Sequence, residues 1–237
     1  MTSLTSASYG KSTDGIRQVT GREEPARKGM PSDRDVSNIS LAHSHFHDRC
    51  LSLNTGVVAL QALRGDAVWR AMQAGSWDAG GWEKALFEAC LCRSQTLAQP
   101  ATFSDRHPTA DQIRQWVKDP AVYRFEYADG LKATMLLMNG LVEDFTFAAR
   151  IKGLDELLST LFYLPPNPNV VYSAALMSKA EELFLTGRAP YPLERTLLTT
   201  GLVAAGMQSL AAGQKRLATP HLEIRYQAPR ESLFSQS

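Results

Sequence analysis

The sequence predicts an α+β fold: a mostly antiparallel open sheet with helices packed on one face. Three observations predict it. AVYRFEYADGLKATMLLM, residues 121–138, alternates Tyr123, Phe125 and Tyr127 against Arg124 and Glu126, turns at Asp129-Gly130, and returns through an apolar strand. DFTFAARI, residues 144–151, alternates again, with Phe145, Phe147 and Ala149 in step. From Ala174 to Gly213, apolar residues at helical spacing flank a Gly-, Pro- and Tyr-rich corner, so two helices are joined there. The order strand, helices, strands, helices, strand is that of a sheet layer covered by a helix layer.

At 237 residues, 44% hydrophobic and 21% charged, the chain has enough apolar side chain for a core. A formal net charge of +1 without a dense Lys/Arg block supplies no field for nucleic acid or an anionic membrane, and neither is expected as a partner. No apolar run approaches the roughly 18 residues needed to span a bilayer, and the N-terminus lacks the apolar stretch of a secretory signal, so a cytoplasmic protein is expected. The cysteines, Cys50, Cys90 and Cys92, are odd in number and exclude a full disulfide framework. The spacing of Cys90 and Cys92 is not that of common zinc or redox motifs, and on a helix it points them about 200° apart. They read as reduced structural thiols.

Along the chain, residues 1–50 are expected as a disordered or weakly structured tail, and residues 51–237 as one α+β domain. Met1–Ser40 is rich in Ser, Thr, Gly, Arg and Asp and carries hardly an apolar pair, too little to offset chain entropy. Asp14, Glu23 and Glu24 argue against an acid-poor presequence. His43, His45 and His47 alternate beside Asp48, the right donors for a transition metal. No second shell accompanies them, so they read as a solvated cluster and no metal site is expected.

Val57–Leu63 is a short apolar run of strand length that leads at once into Gly65 and a helical pattern. Val68 and Met72, then Leu86, Phe87, Cys90 and Leu91, mark two helices broken by Gly75, Gly80 and Gly81. Trp69, Trp77 and Trp82 could stack on a sugar or base, but read better as core plugs. A short helix is expected at Ala110–Val117, and His107 before it reads as a surface residue. In a two-residue hairpin Ala128 faces Leu131, which places the aromatic row with Lys132, Thr134 and Leu136; the aromatic face is expected to be the buried one. Leu157–Tyr163 adds a further strand. In the first of the paired helices Leu176, Met177, Ala180, Leu183 and Phe184 form one face that must cover something. Gly187 suits its C-cap, and Pro192 the opening turn of the second helix. A last strand is expected in HLEIRYQ, with Leu222, Ile224 and Tyr226 on one face.

Four segments carry a family resemblance: GDAVW (65–69), EYADGLKATMLLMNG (126–140), EELFLTGRAPYPLERTLLTTGLV (181–203) and TPHLEIRY (219–226). Their order and spacing resemble the C-terminal domain of an uncharacterised branch of the glucose-fructose oxidoreductase/inositol dehydrogenase (Gfo/Idh/MocA) superfamily. The strongest piece is Tyr191–Leu198, and the resemblance spans roughly residues 56–227. It implies a substrate-binding and oligomerisation domain, a homo-oligomer formed through the sheet, and a small polar substrate.

Full-length members of that family bind NAD(P) on a Rossmann domain whose G-x-G-x-x-G turn holds the pyrophosphate. No such motif occurs here, because Gly75, Gly80 and Gly81 lie in a helix-breaking region and Gly201 and Gly206 inside a helix, so neither set follows a strand at that spacing. No counterpart of the family's catalytic lysine can be placed. The resemblance therefore implies no cofactor for this chain alone and no dehydrogenase activity on its own. The alternative reading is a non-catalytic scaffold derived from that domain. The candidate substrate-binding residues are Glu194 and Arg195, where the second helix opens, and His221, at the head of the last strand. A carboxylate near a helix N-terminus is favourable, and Arg can grip a substrate carboxylate or phosphate through two parallel bonds. The plainer reading pairs Glu194 with the helix dipole and Arg195 with Glu194 or the sheet edge.

Overall fold

The computed structural model describes residues 3–9, 53–74, 84–95, 108–142, 144–151, 155–162 and 170–227. Their strands are β1 (Ser3–Tyr9), β2 (Leu53–Asn54), β3 (Val57–Arg64), β4 (Ala121–Tyr127), β5 (Leu131–Leu137), β6 (Phe145–Arg150), β7 (Leu158–Phe162), β8 (Leu217–Ala218) and β9 (Tyr226–Gln227). The helices are α1 (Asp66–Gln73), α2 (Lys84–Arg93), α3 (Ala110–Trp116), α4 (Val170–Thr186) and α5 (Leu193–Ala211), with a 3-10 turn at Pro220–Leu222. The His43, His45, His47 and Asp48 cluster, Cys50, Trp77, Trp82 and His107 lie outside the described residues.

A seven-stranded sheet runs in the order β7-β6-β1-β5-β4-β3-β8, antiparallel throughout except where β1 lies parallel to β6; β2 and β9 pair separately. The fold is α+β, as the alternation in residues 121–150 predicts. One correction concerns residues 3–9, expected within a tail but forming β1 between β5 and β6. Two strands with open backbone groups recruit a third through main-chain hydrogen bonds, which apolar patterning does not report.

The hairpin between β4 and β5 has three connecting residues, not two. Gly130 N–H donates to Tyr127 O at 3.0 Å, Asp129 Oδ1 accepts from Leu131 N–H at 3.0 Å, and Gly130 has φ 88°, the left-handed conformation that ends a three-residue loop. Glu126 therefore faces Lys132, and Phe125 faces Ala133. The aromatic row shares its face with Leu131, Ala133 and Met135, one step from the expected register, and a one-residue slip exchanges faces.

Both faces of the sheet are buried, which corrects the expectation of helices on one face. On the first, Leu60, Phe125, Met135 and Phe147 join one core with Leu198 and Leu202 of α5. On the second, Leu63, Val122, Leu136 and Ala148 join another with Val68 of α1, Leu86, Phe87 and Cys90 of α2, and Ile113 of α3. The reason lies at the ends of the two strands opposite the hairpin loop, where Val122 of β4 and Leu136 of β5 are apolar at even positions and enter the second core, while Arg124, Glu126 and Lys132 hold the even positions nearer the loop. Cys90 is buried in the second core and Cys92 on the same helix is exposed, as their spacing predicts. Trp69 packs against that core, with the Arg114 guanidinium 5.8 Å from its ring centroid. A reciprocal cap at Thr109 and Gln112 starts α3.

The edge of β3 is closed by residues that follow α5 in sequence or end it. β8 covers Leu60. Beyond it, Ala62 N–H donates to Ser209 Oγ at 2.9 Å and Arg64 N–H donates to Gln214 Oε1 at 2.9 Å. Ser209 is wholly buried, and its hydroxyl donates onward to Lys215 O at 2.6 Å. Side chains thus satisfy main-chain groups that an open edge would expose. Ser209→Ala removes a donor and an acceptor at once, leaving Ala62 N–H and Lys215 O without that partner. A loss of about 1–3 kcal/mol is expected, read as a lowered urea midpoint at unchanged slope. A change too small to resolve would contradict this role. Nearby, Arg216 reaches Glu126 through two bonds of 2.7 Å. The hydrogen bond from Arg216 holds the Glu126 carboxyl below its ordinary range, so the contribution of this pair is present at neutral pH and is lost as acid protonates the carboxylate.

The last strand is shorter than HLEIRYQ. Pro220–Leu222 is a 3-10 turn, and pairing resumes only at Tyr226–Gln227. Leu222 and Tyr226 are both buried, so the alternation reports burial correctly although the backbone is not a continuous strand.

Candidate functional site

The segment with the strongest family mark, Tyr191–Leu198, forms the turn into α5. Gly187 N–H donates to Leu183 O at 2.8 Å at the end of α4. Thr186 Oγ1 donates to Glu182 O at 2.7 Å and accepts from Arg188 N–H at 3.2 Å, completing the cap. Pro192 is the N-cap of α5, one residue before the expected opening turn, and Arg195 N–H donates to its carbonyl at 3.1 Å. The corner is fixed by local bonds on both sides.

Glu194 is exposed in the first turn of α5, where its charge suits the helix dipole. Arg195 is half-buried, with its guanidinium 5.5 Å from the centroid of the Tyr191 ring. That stacking is a cation–π contact, and it fixes the direction of the guanidinium. His221 is exposed on the 3-10 turn. The turn seats against α5 at Gly201, where an added Cβ would lie 2.2 Å from Leu222 Cδ2. Gly201 stands six residues after Arg195, about 9 Å along the helix axis. Glu194 and Arg195 are therefore neighbours, and His221 belongs to a contact further down the same helix.

A second feature surrounds this corner. α4 has no extensive packing against another described element, and its apolar face is open: Phe184 is 85% exposed and Leu185 79%, with Met177 and Leu183 also exposed. The stripe expected to cover a core finds none among the described residues. α5 differs, because it has two apolar faces. Leu198, Leu202, Ala205 and Ser209 are buried against the sheet. Leu193, Leu197, Thr200, Ala204, Met207 and Ala211 are all exposed on the opposite side. Their spacing of four, three, four, three and four residues was legible in the sequence, but inspection for a single buried face passes over it.

Nucleotide binding can be tested against the turn where β3 enters α1. Such turns hold pyrophosphates when several glycine N–H groups and a helix N-terminus point at the ligand. Here Gly65 N–H already donates to Pro120 O at 2.8 Å, and Asp66 sets a carboxylate in the first turn of the helix. An anion there meets a spent donor and a like charge, so this turn does not fit a pyrophosphate. Among the described residues no group of three His, Cys, Asp or Glu side chains could hold a metal ion, and no helix is long and apolar enough to cross a membrane. Compared with protein-family models, curated proteins and solved structures, the chain finds no match.

Proposed function

We propose that the chain is a substrate-binding and oligomerisation half of a Gfo/Idh/MocA-like oxidoreductase, with no nicotinamide site of its own and no dehydrogenase activity alone. The observation that carries this reading is the turn at Gly65, whose N–H is already bonded and whose helix opens on Asp66. Support also comes from where the resembling segments fall. GDAVW opens α1, EYADGLKATMLLMNG spans most of the β4–β5 hairpin, and the Tyr191–Leu198 segment turns into α5. These are the joints of the fold, where residue choice is most constrained. In this reading Arg195, held over Tyr191, and Glu194 contact a small polar substrate at the corner, with His221 further along α5.

Hydride transfer is the chemistry of the nicotinamide cofactor, and the protein's task is to hold its ring against the substrate. In the proposed arrangement that ring is supplied by a separate nucleotide-binding unit, and this chain contributes the substrate side. The scaffold alternative is favoured by the open apolar faces of α4 and α5, which suit association whether or not a substrate binds. Titration of NADH with the purified chain, followed by cofactor fluorescence, tests the main reading. The expected result is no saturable change. Saturable binding in the micromolar range would overturn the absence of a nicotinamide site.

A further inference from the structure

We infer that the outer face of α5 is a self-association surface whose occupant is the same face of a second copy, docked antiparallel. Three observations carry this. The exposed positions 193, 197, 200, 204, 207 and 211 advance by alternate steps of four and three, so that 193, 200 and 207, and likewise 197, 204 and 211, repeat every seven residues, the spacing of a helix-pairing seam. Five of the six are Leu, Ala or Met and none is charged.

The spacing is also a palindrome, reading four, three, four, three, four in either direction. Two antiparallel copies therefore register along the whole seam about a two-fold axis. Leu193 faces the partner's Ala211, Leu197 faces the partner's Met207, and Thr200 faces the partner's Ala204. Large side chains meet small ones at the ends, and the small central residues let the two helix axes approach to the short end of the roughly 8–10 Å range of packed helices. An isologous contact of this kind closes on itself and leaves no seam for a third copy.

The available area suits a dimer. Leu193 is 66% exposed, and Leu197 and Met207 are each 61% exposed. The preceding helix α4 exposes Met177, Leu183, Phe184 and Leu185 as well. The seam side chains alone expose less than the roughly 800 Å² per partner of a standard interface, as in a reversible, concentration-dependent dimer. Both sheet faces already carry packed cores, so this seam replaces the sheet as the place of association. The inference is independent of substrate and nucleotide: its failure would remove the oligomerisation part of the reading above and leave the absence of a nicotinamide site, which the NADH titration tests, untouched.

The test uses the full chain and charge-swapped variants at exposed positions, L197E and M207K, examined by sedimentation velocity. The wild type is expected to be a dimer in the micromolar range. Each variant alone is expected to associate at least tenfold more weakly while keeping the wild-type circular dichroism and, in protein dilute enough for the wild type to be monomeric, the wild-type unfolding midpoint. Mixing the two variants is expected to restore a dimer, because position 197 of one chain meets position 207 of the other. A monomeric wild type would overturn the proposal, including the case in which the seam binds a different protein. Dimers that survive both substitutions would overturn it too, by placing the interface elsewhere. Failure of the mixture to pair would overturn the antiparallel register.

Discussion

Gly56→Ala is expected to cost about 3–5 kcal/mol and to leave the chain largely unfolded at moderate denaturant. Two independent penalties act at this position. Gly56 has φ 83°, a left-handed conformation in which a Cβ is strained. A Cβ there would also lie 2.6 Å from Glu223 Cα and 2.6 Å from Ile224 N. These are main-chain atoms, so no side chain can turn aside to make room. The segment that follows the 3-10 turn would have to lift away from the start of β3, taking the β2–β9 pairing and buried Tyr226 with it. The Gly56 carbonyl also accepts from Ala128 N–H at 3.1 Å, so the strain reaches the β4–β5 loop. Urea denaturation followed by circular dichroism checks this. A loss below about 1 kcal/mol would mean that the close approach at Gly56 does not hold.

Leu202→Ala is expected to lower stability by about 2–5 kcal/mol, the range for deleting a fully buried leucine. Leu202 is 0% exposed and lies between the α5 backbone and the aromatic face of the sheet, in the core that holds Leu60, Phe125 and Met135. The comparison that gives the number meaning is Leu197→Ala on the same helix. Leu197 is 61% exposed, so in the monomer its truncation removes little buried area, and a change within about 0.5 kcal/mol is expected. The two substitutions have the same chemistry and sit five residues apart, so helix propensity cancels between them. If Leu197→Ala proved as costly as Leu202→Ala in dilute protein, α5 would be packed differently from this account.

The fold class was legible because β4 alternates through Tyr123, Phe125 and Tyr127 and β6 through Phe145 and Phe147, and because glycine and proline punctuate the corner between α4 and α5. Three details were not legible, each for a physical reason. The register of the β4–β5 hairpin depends on whether Ala128 is in the strand or the loop. Only the Gly130 to Tyr127 hydrogen bond decides that. The second buried face was hidden because Val122 and Ala148 alternate with the aromatic rows of their strands, and because the two-residue register placed Leu136 with the aromatic row, whereas it pairs with Val122. β1 left no mark because its place comes from main-chain pairing with β5 and β6.

At the candidate site, sequence chemistry found Glu194 and Arg195 at the opening of α5. It did not find the stacking of Arg195 on Tyr191, since residues four apart meet only once the helix N-terminus is fixed by Pro192. It placed His221 on a strand, whereas Pro220 opens a 3-10 turn there, Pro220–Leu222. The seam on the outer face of α5 was missed because the inner face alone satisfied the search for amphipathic spacing.

The account stands most directly on whether this helical arm assembles. Equilibrium sedimentation of the full chain across the micromolar range measures that without any substitution. The predicted result is a mass that rises with concentration toward two chains and then stays there. A mass that remains that of one chain at every concentration would contradict it.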